Sequence, residues 1–92
     1  MALIFEWEDK KAKSNLLKHK ITFEEASTAF GDDLSITIED QLHSEDENRF
    51  ILIGKSINNK TLIVVHLEQT KSIRIISARK ATNKERIFYE ES

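Results

Sequence analysis

Arg74 and Arg79 lie in the apolar stretch IRIISARKAT, and His66 lies in the neighbouring run TLIVVHL. A guanidinium grips phosphate through paired N–H donors, and an imidazole exchanges a proton near neutral pH. Together such groups could stabilise charge on a phosphodiester and move protons at it. Lys18 and His19 offer a second group of the same kind, although cations at a helix end also answer the helix dipole. Each candidate has a purely structural alternative. Arg79 can pair with Glu85 or another acid, and a histidine in an apolar strand is more often a hydrogen-bonded core residue.

Other chemistries find little support. HSEDENR, residues 43–49, mixes an imidazole with carboxylates, but its spacing matches neither a zinc site nor an EF-hand. There is no cysteine, no glycine-rich phosphate loop and no serine in a nucleophile context, so no metal and no cofactor is expected. The net charge of −2 conceals sorting along the chain. Charges between Lys10 and Lys20 are lysines, those from Glu24 to Glu47 are acidic, and from Arg49 to Arg86 only Glu68 and Glu85 oppose the basic residues. Two readings stand: a basic face beside an acidic one, or a solvated surface with incidental sorting. The N-terminus lacks the pattern of a secretory signal and no apolar run approaches a membrane span, so a cytoplasmic protein without a membrane partner is expected.

Ninety-two residues make one domain, 1–92. LIFEW suggests a short strand. EDKKAKSNLLKHK suggests a helix with Ala12, Leu16 and Leu17 as its buried stripe and Lys11, Asn15 and Lys18 or His19 as a polar one. Thr22 stands three residues before Glu25 and Thr82 three before Glu85, the capping-box spacing that opens two further helices. LSITIED, RFILIG, TLIVVHL and SIRIISA read as strands. The expected fold is α+β, an antiparallel sheet with two N-terminal helices and one C-terminal helix, in the order β-α-α-β-β-β-β-α.

Strand alternation sends Arg74 and Arg79 to opposite faces, because their positions differ by an odd number. With Asn58-Asn59 as a two-residue turn, Ile53 faces Val64, Ile51 faces His66 and Arg49 faces Glu68. With the next hairpin centred on Thr70-Lys71, His66 faces Ile75, Val64 faces Ser77 and Leu62 faces Arg79. One face then gathers Arg49, His66, Glu68, Ser77 and Arg79 on an apolar floor, which suits binding. The other holds Phe50, Leu52, Ile63, Val65, Leu67, Ile76 and Ala78 for the helices, with Arg74 at its rim. A one-residue slip or a bulge would exchange the faces.

Three ordered blocks, FEWEDKKAKSNLLKHKITFEEA, HSEDENRFILIGKS and IRIISARKATNKERIFYEE, resemble the signature blocks of the BrnT family. The resemblance spans almost the whole chain. It implies a RelE-like fold and the toxin of a bacterial type II toxin–antitoxin pair, an endoribonuclease that halts translation by cutting RNA. It also implies a BrnA-like ribbon-helix-helix antitoxin, with operator DNA reached only through the complex. Lys18 and His19 match the family's Lys-His pair, followed here by Lys20 where many members have glycine. Arg74, Ser77, Ala78, Arg79 and Lys80 match the last block. For RNA cleavage Arg79, His66 (chosen by register, not by the family blocks), Arg74 and His19 are the catalytic candidates, and Lys18, Arg49, Lys80 and Tyr89 the RNA-contacting ones. Tyr89 can equally pack on the sheet. The competing reading is a non-catalytic module that binds RNA or protein with the same surface.

Overall fold

Thr82 starts a helix with a complete capping box. Its hydroxyl accepts from the Glu85 N–H at 3.2 Å, and the Glu85 carboxylate accepts from the Thr82 N–H at 2.8 Å. Thr22 caps its helix by accepting from the Glu25 N–H at 3.0 Å, while the Glu25 carboxylate instead receives the Ser56 hydroxyl at 2.7 Å. The computed structural model describes residues 3–41 and 48–92. In chain order the elements are β1 (Phe5–Glu6), α1 (Asp9–His19), α2 (Phe23–Thr28) with a 3-10 turn at Ala29–Gly31, β2 (Ile36–Glu39), β3 (Arg49–Lys55), β4 (Thr61–Glu68), β5 (Ile73–Lys80) and α3 (Asn83–Glu90). This is the order expected from the sequence.

The sheet runs β1-β5-β4-β3-β2. Strands β2 to β5 form an antiparallel meander, and the two-residue β1 adds one parallel pairing, so the sheet is mixed. The register differs from the expected one by a single residue at the β3–β4 hairpin. The loop runs from Ser56 to Lys60, with Lys55 opposite Thr61, and Asn59 takes φ 66°. Arg49 therefore faces Leu67, Ile51 faces Val65 and Ile53 faces Ile63, which turns β4 over relative to the expectation.

Helices α1 and α2 cover one face, where Ile21, Phe23, Ala26, Ala29, Leu52, Leu62, Val64, Ile75 and Ala78 form the main core. Burying each of the larger aliphatic side chains contributes about 1.5–3 kcal/mol. On the other face α3 seats Tyr89 against Ile53 and Ile63. Gly54 is required by close packing. A Cβ there would stand 2.9 Å from the Ala29 carbonyl oxygen and 3.1 Å from the Ser35 Cβ.

Helix α1 corrects a second expectation. Leu16 and Leu17 are exposed, and the buried residue is Asn15. Its side chain donates to the Ile21 carbonyl at 3.0 Å and to the Ala78 carbonyl at 2.8 Å, and its Oδ1 accepts from the Ala78 N–H at 3.0 Å. Because β1 is so short, the edge of β5 near Ala78 has no neighbouring strand. The Asn15 carboxamide takes that place and satisfies both backbone groups. The helix thereby lies along the β5 edge.

Candidate functional site

A bulge in β5 decides where its arginines point. Arg79 pairs with Ile63 and Ser77 with Val65, but the register then shifts by one, so that Ile75 pairs with His66 and Arg74 with Leu67. Ile76 is the extra residue. Since β4 pairs with β3 without any shift, Ile63, Val65 and Leu67 share a face with Arg49, Ile51 and Ile53. Arg49, Arg74 and Arg79 consequently lie on one face, with Arg49 and Arg74 flanking Leu67 from the two adjacent strands. This corrects the expectation that Arg74 and Arg79 part company.

Each of these arginines meets a carboxylate. Arg49 Nε lies 3.0 Å from Asp40 Oδ2, and Arg74 Nε lies 3.2 Å from Glu6 Oε1 with Glu8 at 3.9 Å from Nη1. Arg79 grips Glu85 with both ends of its fork, Nη1 to Oε1 at 2.8 Å and Nη2 to Oε2 at 2.9 Å. The Arg79 guanidinium, helped by the Thr82 N–H, holds the Glu85 carboxyl at about 2 against the upward pull of burial. The same bond raises the Arg79 pKa further.

His66 lies on the opposite face from Arg79, contrary to the expected pairing. It is fully buried, with the Phe30 ring edge-on at 4.8 Å and Phe50 stacked at 6.1 Å. Its ring nitrogens lie 3.3 Å from the Val64 carbonyl and 3.2 Å from the Glu68 carboxylate. The one-residue change in the hairpin register is the reason. Lys80 pairs with Leu62, a core residue, and so belongs to the opposite side of β5 from Arg79. Tyr89 is buried against the sheet and donates its hydroxyl to Asp32 at 2.5 Å, which with burial raises its pKa to about 12. A base therefore has no open ring of Tyr89 on which to stack. His43 to Glu47, where the middle block and the metal alternative fall, lie outside the described residues. Among the described residues no cluster of three or more His, Asp or Glu side chains could hold a metal ion.

The structure does bring together the polar stripe of α1 and the bulge of β5. Lys11, Ser14, Asn15, Lys18 and His19 line a shallow cleft of about 240 Å³ whose other wall is Ile76 and Ser77. Lys11 and Lys18 are seven residues, two turns, apart and so project on the same side of α1. Neither lysine has a carboxylate within ion-pair distance among the described residues. Ser77 shares the sheet face with Arg79 two positions further along β5. The cleft thus sets an imidazole and two ammonium groups beside the arginine-bearing face. Lysines and an imidazole can bind an anion, and the imidazole can exchange a proton with it. Sequence reasoning found the stripe but not Asn15 as the tie that positions it. The available signal was an amide placed between two lysines at helical spacing.

The family model described as "Ribonuclease toxin, BrnT, of type II toxin-antitoxin system" matches residues 7–85. The chain belongs to the BrnT family of ribonuclease toxins. As a toxin of a type II pair it has an antitoxin as partner. The crystal structure of the Brucella abortus ribonuclease toxin BrnT, determined at 1.1 Å, superimposes with a TM-score of 0.69 at 16% sequence identity, covering 89% of this chain and 100% of that one. At that identity the likeness is one of fold. No curated protein matches the chain. No helix among the described residues is long and apolar enough to cross a membrane.

Proposed function

We propose that this BrnT-family chain is a metal-independent endoribonuclease whose active site is the α1–β5 cleft, acting in the cytoplasm to stop translation. The observation that carries the reading is the meeting of Lys11, Lys18 and His19 with Ser77 on the face that also bears Arg79. His19 takes the proton of a ribose 2′-hydroxyl, O2′ attacks phosphorus, and the P–O5′ bond breaks to leave a 2′,3′-cyclic phosphate. A protonated group at the cleft, Lys18 or the imidazolium just formed, returns a proton to O5′. Lys11 and Lys18 attract the phosphate, and Arg79 stabilises its transition-state charge once an RNA phosphate displaces Glu85. Arg74 and Arg49 guide the strand along the same face. His66, Lys80 and Tyr89 have no part in this scheme, because their positions assign them to the core or the far side.

We further infer that the antitoxin is BrnA-like, with a ribbon-helix-helix DNA-binding domain, and that the pair represses its own operator. The family membership supports the partnership.

The test is cleavage of RNA by the purified chain in EDTA, alone, on translating ribosomes, and with His19→Ala. Cleavage in EDTA that disappears in the variant supports the proposal. Salt-sensitive RNA binding without cleavage in any of these conditions replaces it with the binding-module reading.

A further inference from the structure

The two edges of the sheet are treated differently. The β5 edge is closed by β1 and by the Asn15 carboxamide. Among the described residues nothing pairs with the β2 edge. Asp40 donates its N–H to the Arg49 carbonyl at 3.0 Å, and β2 pairs with β3 in unbroken register. Backbone groups alternate in direction along an antiparallel strand, so Ile36 and Ile38 are bonded to β3 while Thr37 and Glu39 present N–H and C=O groups outward. No described residue bonds these outward groups. The strand is short and carries one charge, Glu39, but has no lysine, proline or bulge to turn a partner strand away.

The surroundings specify the occupant. Of the described residues between Lys20 and Arg49, six are acidic and none is lysine or arginine. Asp33 and Glu39 are exposed beside the edge, as are Leu34 at 74% and Ile38 at 45%. Side chains alternate, so Ile36 and Ile38 lie on the α3 side of the sheet and Thr37 and Glu39 on the other. A second copy of β2 would bring acid against acid. RNA would be repelled.

We propose that β2 is a docking edge for an extended cationic segment of a partner protein, which adds as a sixth strand. Its apolar residues lie beside Ile36 and Ile38, and its basic residues lie beside Glu39 and Asp33. The site is separate from the α1–β5 cleft and does not depend on the ribonuclease reading.

The test uses an alternating peptide, acetyl-KVKVTVKV-amide, with acetyl-EVEVTVEV-amide as control, and amide hydrogen exchange of the intact chain. The cationic peptide slows exchange of the Thr37 and Glu39 amides at least tenfold and the acidic one does not. Glu39→Lys weakens binding at least tenfold, and Thr37→Pro, which removes an outward donor but no β2–β3 bond, does the same. Absence of binding at millimolar peptide, or binding that leaves those two amides exchanging at their free rate, overturns the proposal. Protection that grows with protein concentration alone overturns it in favour of self-pairing.

Discussion

Arg74 and Arg79 share one face of the sheet because Ile76 is an extra residue between them. Ser77 shares that face with Arg79 by ordinary alternation and lies beside Lys18 and His19. A single inserted residue thereby adds Arg74 to the face that Ser77 and Arg79 share beside the basic end of α1. The cost is that acids already attend those arginines, most closely Glu85 on Arg79. Under the proposed scheme an RNA phosphate competes there with a carboxylate held in a capping box.

That competition gives the first prediction. Arg79→Ala removes the proposed phosphate contact and should lower cleavage at least a hundredfold, about 3 kcal/mol of transition-state stabilisation. Glu85→Gln should act oppositely on substrate and tighten RNA binding, because Arg79 loses its charged competitor. The same variant should change the acid response. The folded-state pKa of Glu85 is lowered to about 2 from 4.5, so its contribution is present above pH 4.5 and is lost as pH falls through 2. The pair is partly exposed, so solvent screening limits that contribution to about 1 kcal/mol. Denaturation across this range should show wild type and Glu85→Gln converging at the acid end.

His19 and His66 should separate activity from stability. His66 fills a fully buried position between Phe30 and Phe50, and His66→Ala should cost about 3 kcal/mol while the folded fraction still cleaves RNA. His19 is exposed at the end of α1, so His19→Ala should leave the denaturation midpoint nearly unchanged and abolish cleavage. Loss of activity per folded molecule in the His66 variant, with full activity in the His19 variant, would reverse the assignment.

The elements and their order were readable because capping threonines and β-branched runs are local signals. Thr22 and Thr82 both cap their helices as their spacing implies, although only Thr82 with Glu85 completes the reciprocal box. The faces of the strands were not readable, because one residue decides them. Asn58-Asn59 looks like a two-residue turn, yet Ser56 and Lys60 close a longer loop through a 2.8 Å backbone bond. Ile76 is an isoleucine among isoleucines, and nothing in its type marks a bulge. These two single-residue effects moved His66 into the core and brought Arg74 round to Arg79. Asn15 was hidden for another reason: buried polar groups depend on which backbone groups they meet, and the Ala78 edge exists only in the folded sheet.

Lys20 caps α1 in the left-handed conformation, φ 61°, with its N–H donated to the Leu16 carbonyl at 2.9 Å. A lysine side chain is strained there and glycine is not. Lys20→Gly should therefore stabilise the chain by about 1 kcal/mol, measured by urea denaturation. Cleavage should change little, since Lys20 does not line the cleft.

The two glycines should respond differently to alanine. Gly31 has open space around its Cβ position, so Gly31→Ala should alter stability by less than about 0.5 kcal/mol. At Gly54 the new methyl would stand 2.9 Å from the Ala29 carbonyl oxygen, which is backbone and cannot rotate away. Separating the 3-10 turn from β3 to admit it should cost about 1–3 kcal/mol. Thermal unfolding of the two variants decides the contrast.

Asn15 joins fold to site, and its variants should show both. Asn15→Leu leaves the Ala78 N–H, the Ala78 carbonyl and the Ile21 carbonyl without their partner, a loss of about 2–4 kcal/mol. Asn15→Asp keeps an acceptor for the Ala78 N–H but replaces the donating NH₂ by an oxygen facing two carbonyls. Repulsion there, together with burial, raises the pKa of the new carboxyl in the folded state, so protonation restores a donor. Relative to wild type, Asn15→Asp should thus recover stability as pH falls below about 5, whereas Asn15→Leu should show no such recovery. If α1 is held against β5 chiefly by this amide, both variants should also lower kcat for RNA at neutral pH. Acidification should then restore part of the activity in Asn15→Asp alone, once the pH dependence of the wild type is divided out. An aspartate variant with the same pH profile of stability as the leucine variant would mean that the Ala78 edge finds another partner.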